Sequence, residues 1–374
     1  MHRMFKKIVV LVFILFFCGI GFLNLIKADQ RVSEHENRVL ASRPEFTLQG
    51  FISGDFMEDF EEYINDQFIG KTSWLKGKAL IEKMTLKQEN NGIFIGKNDY
   101  LLQPISEPTE QMKRNINSIN SFSEKNEDVS MYFLLAPTSV DIYREQRPWL
   151  AQSYSQLSIL NTVQKQLSTN ISFIDVYETL RQNNNQQLYF RTDHHWTARG
   201  AYFAYVEAAK AMELQAYSMN DFNVETVSEN FKGTFYSKAN ALNVQPDYIE
   251  AFFPKWQVDY NVLYDQKEST KSLYEYSYLK KRDQYSFFLD GNHSLVKIAS
   301  SVKNGRKLAV VKDSYAHIFI PFIVNHFEEV HVIDLRFNQS NLSDYLVKNE
   351  IKDVLFLYNI DQFMTDKNFI WLQQ

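Results

Sequence analysis

The chain has 374 residues, 45% of them apolar and 23% charged, enough to build a sizeable buried core and incompatible with a disordered chain. Its formal net charge of −5 offers no field for gripping a polyanion, so nucleic acid is not an expected partner. The first element is "MHRMFKKIVVLVFILFFCGIGFLNLIKADQ", in which Arg3, Lys6 and Lys7 precede an almost unbroken apolar run from Ile8 to Ile26. As a helix the run is about 28 Å long, close to a bilayer's hydrocarbon thickness, and its basic flank is expected in the cytoplasm. Cleavage of a signal peptide near Ala28 is the competing reading. The bulk of Ile26 and the length of the run favour an uncleaved, single-pass anchor over residues 1–28. On either reading the remainder is expected outside the cytoplasm. Cys18, the only cysteine, sits inside the run, which leaves the exported part without a disulfide, a thiolate nucleophile or a thiolate metal ligand.

Residues 29–105 are expected to form a juxtamembrane region. "ADQRVSEHENRVLASRPEF" is polar and without period, and reads as a tether. From Asp55 to about Leu86 apolar residues recur at helical spacing (Phe56, Phe60, Ile64, then Trp74, Leu75, Leu80, Ile81), predicting one or two amphipathic helices. "NNGIFIGKNDYLL" predicts two short strands joined by a turn. Over residues 106–374 the pattern alternates. "MYFLLAP", "ISFIDV", "KLAVVKD", "EVHVIDL" and "DVLFLY" are short aliphatic runs of the kind buried on both faces of a parallel sheet. Helical stretches at Ser155–Leu167, Ala198–Met212, Tyr315–His326 and Ser340–Lys348 separate or follow them, which predicts a layered α/β domain. Between about 215 and 300 the chain is rich in Tyr and Phe, shows turn signals and has no clear helix. It is expected to form an irregular or β-rich insertion over the sheet's edge.

Two stretches carry groups able to do chemistry. In "LAVVKDSYAHIF" a strand runs into Lys312 and Asp313 and a helix can begin after Ser314, which puts the serine at the carboxyl edge of the sheet, where α/β folds place ligands. The N–H groups of Ser314 and Tyr315 are then candidates for holding an oxyanion; the alternative is that Asp313 or Ser314 only caps the helix. In "RTDHHWTARGAY" Thr197 is a candidate N-cap for the helix from Ala198, leaving Asp193, His194, His195 and Trp196 in the preceding loop. Asp193 and His195, two apart in an extended loop, project the same way. Asp193 can therefore orient the His195 ring while the other ring nitrogen serves Ser314 as general base. Neighbouring histidines in such a loop point to opposite faces, which argues against a shared zinc ion, and no metal or cofactor is expected. His194 is read as a packed neighbour and Trp196 as a wall for the imidazole. Arg336, at the end of "VHVIDLR", is a candidate for holding a sugar hydroxyl or an acyl carbonyl, or for a salt bridge to a nearby acid. Asn292 is a candidate oxyanion donor or a turn residue. Pro137, Thr138, Ser139, Tyr358 and Asn359 end strands at the same edge and are candidates for lining a pocket.

With "TDHHWTARGAY" followed by "VKDSYAHIFIPF" and "VIDLR", the chain resembles the DHHW family of bacterial exported proteins, which are related to the SGNH hydrolase-like domains of the alginate O-acetylation proteins J and X. "SEHENRVLASRPEF", "NGIFIGKNDYLL", "LAPTSVDIY", "GTFYSKAN" and "FLDGNHSLVKI" extend the resemblance over most of the chain. It implies a flavodoxin-like three-layer α/β/α domain with a circularly permuted motif order, the Asp-x-His element preceding the serine. It also implies Asp193 as orienting acid, His195 as base and Ser314 as nucleophile. Lys312 stands where the usual Gly-Asp-Ser motif has glycine, as in the Lys-Asp-Ser form of the DHHW subgroup. The implied function is transfer of an acyl group, acetyl first among them, from a membrane-bound O-acyltransferase through an ester on Ser314 to a hydroxyl of a cell-surface or exported polysaccharide. An acetylesterase using the same triad and a membrane-tethered carbohydrate-binding or scaffold protein are the alternatives.

Overall fold

The computed structural model describes residues 2–33, 38–85, 87–241 and 244–374. Residues 34–37 of the expected tether, Leu86 at the expected helix end and residues 242–243 of the insertion lie outside them. The chain divides into two compact units, one of residues 1–87 with 240–242 and one of residues 88–239 with 243–374. In the first, the apolar run forms one helix, His2–Ile26, whose stretch Met4–Asn24 is long and apolar enough to cross a membrane. Its side chains from Ile8 to Phe17 are exposed, which fits a lipid surround. Three further helices follow: Leu48–Ser53, Asp55–Gln67 and Lys71–Met84. Thr47 caps the first by accepting from the Gly50 N–H at 3.0 Å. The polar stretch before them is tied down by Gln67, which accepts from the Gln30 N–H at 2.9 Å and donates to the carbonyls of Gln30 and Ala41.

In the second unit, "NNGIFIGKNDYLL" forms Ile93–Ile95 paired antiparallel with Leu101–Leu102. The helix Glu110–Lys125 that follows is absent from the sequence expectation. Its asparagines and serines thin the apolar signal, yet Met112, Ile116, Ile119 and Phe122 fall on one stripe and are buried. The sheet is built from β1 (Ser130–Ala136), β2 (Ile171–Ile174), β3 (Tyr260–Tyr264), β4 (Glu268–Thr270), β5 (Leu295–Ser300), β6 (Lys307–Lys312), β7 (Glu329–Ile333) and β8 (Asp353–Asn359). Among the described residues it has eight strands in the order β4-β3-β5-β7-β6-β8-β1-β2. From β7 to β2 the pairings are parallel. Every residue of β6 after Lys307 and of β8 after Asp353 is buried, so both faces of the centre are covered. Helix Ala198–Ala211 packs against Ala316–Ile323, and Glu110–Lys125 packs against Ile360–Thr365 and the segment Asn368–Gln373. This is the layered α/β arrangement expected from the alternating pattern.

The insertion differs from expectation in one respect: it continues the sheet instead of lying over its edge. β5 pairs antiparallel with β7, as in Ile298↔Val330, and β3 pairs antiparallel with β5, as in Val262↔Ile298. These strands satisfy the backbone of β7 that a parallel sheet ending there would leave open. The insertion's first part is an antiparallel ribbon, Phe222–Phe231 with Asp247–Pro254, and a short helix, Thr234–Ala239.

Candidate active site

β6 delivers Ser314. Its last residue, Lys312, is followed by Asp313 and by Ser314 and Tyr315 in a turn before the helix Ala316–Ile323 begins. Buried Asp313 ties this turn to the end of β8. Its Oδ2 accepts from the Asn359 N–H and Nδ2, both at 2.7 Å, and its Oδ1 accepts from the Tyr315 N–H at 2.8 Å. Burial pushes the Asp313 carboxyl up to about 6, against these hydrogen bonds. The Ser314 hydroxyl oxygen lies 2.7 Å from His195 Nε2.

His195 comes from a closed loop. The Phe190 N–H donates to the His195 carbonyl and the Thr197 N–H to the Leu188 carbonyl, at 3.2 and 2.8 Å, and Thr197 caps the helix Ala198–Ala211. At the tip, Asp193 Oδ1 accepts from the His195 N–H at 3.0 Å and meets His195 Nδ1 at 2.5 Å, so the loop bends back on itself. The extended geometry expected for it is absent for this reason, and His194 and His195 do not face apart: their ring centroids are 3.7 Å from each other. Burial disfavours charge on Asp193, but His194, His195 and the hydrogen bonds from His195 and the Thr234 N–H outweigh it and hold the carboxyl well below its ordinary range. With Asp193 ionised, Nδ1 of His195 is the donor and Nε2 is left to accept the Ser314 proton. Burial, with His194 beside it, pushes the His195 imidazolium down to about 4. The base form is therefore resident at neutral pH.

The groups that hold this pair come from the insertion, and sequence reasoning did not single them out. The Thr234 N–H and hydroxyl donate to Asp193 Oδ2 at 2.8 and 3.0 Å, and the same hydroxyl is 2.7 Å from His194 Nδ1. A Cβ at Gly233 would meet the Asp193 Cβ at 2.2 Å, an approach only glycine permits. Tyr285 stacks on His195 with centroids 3.6 Å apart and 6° between planes, and its hydroxyl donates to the Ser314 carbonyl at 2.9 Å. One step back, buried Asp247 accepts from the Arg191 N–H, the Thr192 N–H and the Thr192 hydroxyl at 3.0, 2.9 and 2.7 Å. The family-like segment "GTFYSKAN" was the one available pointer to Gly233 and Thr234; Tyr285 and Asp247 carry no local signal.

Ser314 opens into a cleft of about 320 Å³ along the carboxyl ends of the parallel strands, lined also by Thr138, Ser139, His194, Arg336 and Asn359. Of the two alternatives for Arg336, the acid is met: its Nε and Nη2 donate to Asp334 at 2.9 and 2.6 Å, and the guanidinium still borders the cleft. Asn292 is exposed and uses its side-chain oxygen to accept from Arg336 Nη2 at 3.1 Å; it does not line the cleft. Tyr315 offers no N–H to an oxyanion, because Asp313 occupies it, and its hydroxyl donates to the His194 carbonyl. Trp196 is fully buried behind Tyr315, donating its indole N–H to the Tyr315 carbonyl at 2.9 Å. It braces the serine turn, and the imidazole's wall is Tyr285. Tyr358 packs on Phe369 and Pro137 accepts from the Tyr189 hydroxyl, so neither lines the cleft. Buried Lys312 donates to Asp334 Oδ2 at 2.8 Å and lies 2.7 Å from His317 Nε2.

Asp193, His194 and His195 each bring one possible metal-ligating atom within 4.8 Å of the others. Their side chains are engaged within the protein: Asp193 with His195 and Thr234, His194 with Thr234, and His195 with Ser314. That is the donor and acceptor pattern of a proton-transfer line.

The fold is similar to that of a DHHW family protein from Eubacterium siraeum, with a TM-score of 0.68 and 24% identity over 76% of this chain and 96% of that one. It is similar also to Bacillus cereus PatB1, with a TM-score of 0.63 and 22% identity over 74% of this chain and 98% of that one; that protein has been solved with a sulfonyl adduct as well. The O-acetyltransferase domain of Pseudomonas putida AlgJ matches at a TM-score of 0.47 and 16% identity over 75% of this chain and 98% of that one. No curated protein matches the chain. The family model described as DHHW protein matches residues 106–333, more than half of the sequence and including both the Asp-x-His loop and the serine turn, and the chain belongs to the DHHW family.

Proposed function

We propose that the chain is an extracytoplasmic serine O-acyltransferase that passes an acyl group, most simply acetyl, to a hydroxyl of a cell-surface or exported polysaccharide. The observation that carries this reading is the continuous line from Asp193 through His195 to Ser314, with contacts of 2.5 and 2.7 Å. In the first half-reaction Ser314 Oγ bonds to the acyl carbon while its proton passes to His195 Nε2. The leaving group then departs with that proton, leaving an ester on Ser314. In the second, an acceptor hydroxyl gives its proton to His195 Nε2 as its oxygen attacks the ester, and Ser314 leaves with the proton. The polar lining by Thr138, Ser139 and Asn359 suits an acceptor rich in hydroxyls. A membrane-bound O-acyltransferase is the donor partner in this reading, and the helix Met4–Asn24 would keep the chain in the same membrane. Water reaching the ester instead of a sugar would make the same site an esterase.

The test is acylation of the detergent-solubilised full chain by p-nitrophenyl acetate, with intact mass locating acetyl on Ser314 and Ser314→Ala and His195→Ala run beside it. An adduct lost in both variants supports the reading. A folded wild-type chain that forms no adduct and releases no nitrophenolate, together with unchanged surface acetylation in cells carrying Ser314→Ala, would remove it.

A further inference from the structure

We propose that Arg336 completes the oxyanion site of Ser314 in place of a second backbone N–H, and that Lys312 is a positioning residue acting on it through the Asp334 carboxylate. The inference rests on the reading of Ser314 as nucleophile. As Ser314 Oγ bonds to the acyl carbon and its proton moves to His195 Nε2, the carbonyl π pair moves onto oxygen. That oxygen needs donors until the pair returns and the leaving group departs with the proton. A serine on a strand-to-helix turn ordinarily uses the N–H of the following residue, but here the Tyr315 N–H is held at 2.8 Å by Asp313 Oδ1. The Ser314 N–H has no protein partner among the described residues. Arg336 borders the same cleft as Ser314. Asp334 grips its Nε and Nη2 at 2.9 and 2.6 Å, and Asn292 takes Nη2 at 3.1 Å. These contacts fix the guanidinium plane and leave Nη1 with no protein acceptor among the described residues.

Charge explains why a lysine stands where glycine is usual. An Arg336–Asp334 pair alone is neutral and attracts a developing oxyanion weakly. Lys312, 2% exposed, adds a second cation at 2.8 Å from the Asp334 oxygen that Arg336 Nη2 also binds. His317 Nε2, 2.7 Å away, takes up another of its hydrogens. With Asp313 counted, Arg336 alone would stand among two carboxylates with a net negative charge; Lys312 brings the set to neutral, and of these residues Arg336 is the one that borders the cleft. Asp313, whose oxygens take donors from Tyr315 and Asn359, keeps its charge while ionised and acts on both cations.

The detergent-solubilised full chain with p-nitrophenyl acetate separates the outcomes, because this substrate needs an oxyanion site and no glycan site. Arg336→Gln should lower kcat for nitrophenolate release by about 10²–10³-fold with KM changed less than about threefold. Lys312→Met should lower kcat at least about tenfold alone and add nothing in the Arg336→Gln background, the non-additivity expected of residues acting as one unit. Arg336 is partly exposed, so Arg336→Gln tests the proposal even where Lys312→Met fails to fold. The proposal is overturned if Ser314→Ala abolishes release while Arg336→Gln keeps kcat within about threefold, or if the loss falls on KM alone. Release that survives Ser314→Ala removes the nucleophile reading on which it rests.

Discussion

Replacing Asp193 by Asn keeps the side chain's size and removes one acceptor and the charge. Four donors converge on the carboxylate: the His195 N–H and Nδ1–H on Oδ1, and the Thr234 N–H and hydroxyl on Oδ2. An amide offers one oxygen to this set. With that oxygen toward His195, the NH2 faces the Thr234 N–H, donor against donor, at a buried position where an unsatisfied group costs about 1–3 kcal/mol. With the amide reversed, the NH2 faces His195 and the ring must accept at Nδ1, which moves its proton to Nε2 and leaves it unable to take the Ser314 proton. Either orientation also removes the anion that would stabilise the imidazolium formed during transfer. Acylation of Ser314 should therefore fall by about 10³–10⁴-fold, the scale on which such a tautomer error acts in serine hydrolases, with a stability loss of about 1–3 kcal/mol when the first orientation is adopted. The assay is the time course of acetyl-Ser314 from p-nitrophenyl acetate at neutral pH, read by intact mass, with urea unfolding beside it. Acylation within about tenfold of wild type would mean that His195 needs no carboxylate and that the 2.5 Å contact is structural alone.

Gly233→Ala should cost about 1–3 kcal/mol and most of the acylation rate, since its Cβ would meet the Asp193 Cβ at 2.2 Å; wild-type melting and turnover would show that the loop can step aside. Asp247→Ala strands donors from Arg191 and Thr192 and should lower the unfolding free energy by about 2–4 kcal/mol, an expectation that a urea midpoint unchanged from wild type contradicts. Burial keeps His195 in its base form well below the ordinary imidazole value of about 6.5, so acylation should stay level as pH falls from about 8 to about 6; a half-maximal point at about 6.5 or above refutes this. The stability linkage has the matching sign: the unfolded chain takes up this proton below about 6.5, so the His195 contribution is complete above that pH and is lost as pH falls toward about 4.

What was legible in the sequence was whatever is written in local pattern. Of the five aliphatic runs that became β1, β2, β6, β7 and β8, the central β6, β7 and β8 are buried on both faces and need no partner to be recognised, while β2 at the sheet's edge leaves Ser172 exposed. Ser314, His195 and Asp193 stand where such strands and helix starts place them, and the structure brings the three side chains together. Helix Glu110–Lys125 was hidden because polar residues share its sequence with the buried stripe of Met112, Ile116, Ile119 and Phe122. The bend of the Asp-x-His loop was hidden because it is made by two hydrogen bonds to one carboxylate oxygen, and no spacing rule distinguishes that from an extended run. Tyr285 and Tyr315 illustrate the remaining gap. One is 90 residues from the histidine it stacks on, and the other has its N–H taken by the aspartate two residues earlier.

The insertion is also part of the site's chemistry. A carboxylate that orients an imidazole must be buried to keep its direction, and a buried carboxylate needs donors for all of its acceptor capacity. The Asp-x-His loop supplies donors to one oxygen only, because both come from His195. The second oxygen depends on Thr234, at the start of the short helix Thr234–Ala239. Thr234 and Lys238 of that helix line the cleft beside Ser314. The element that holds the acid in place is thus also a wall of the cleft, and under the proposed function a ligand that shifts this helix would alter the support of Asp193. In the proposed mechanism the Thr234 hydroxyl, which touches Asp193 Oδ2 and His194 Nδ1 at 3.0 and 2.7 Å, would link recognition at the helix to the support of the His195 base.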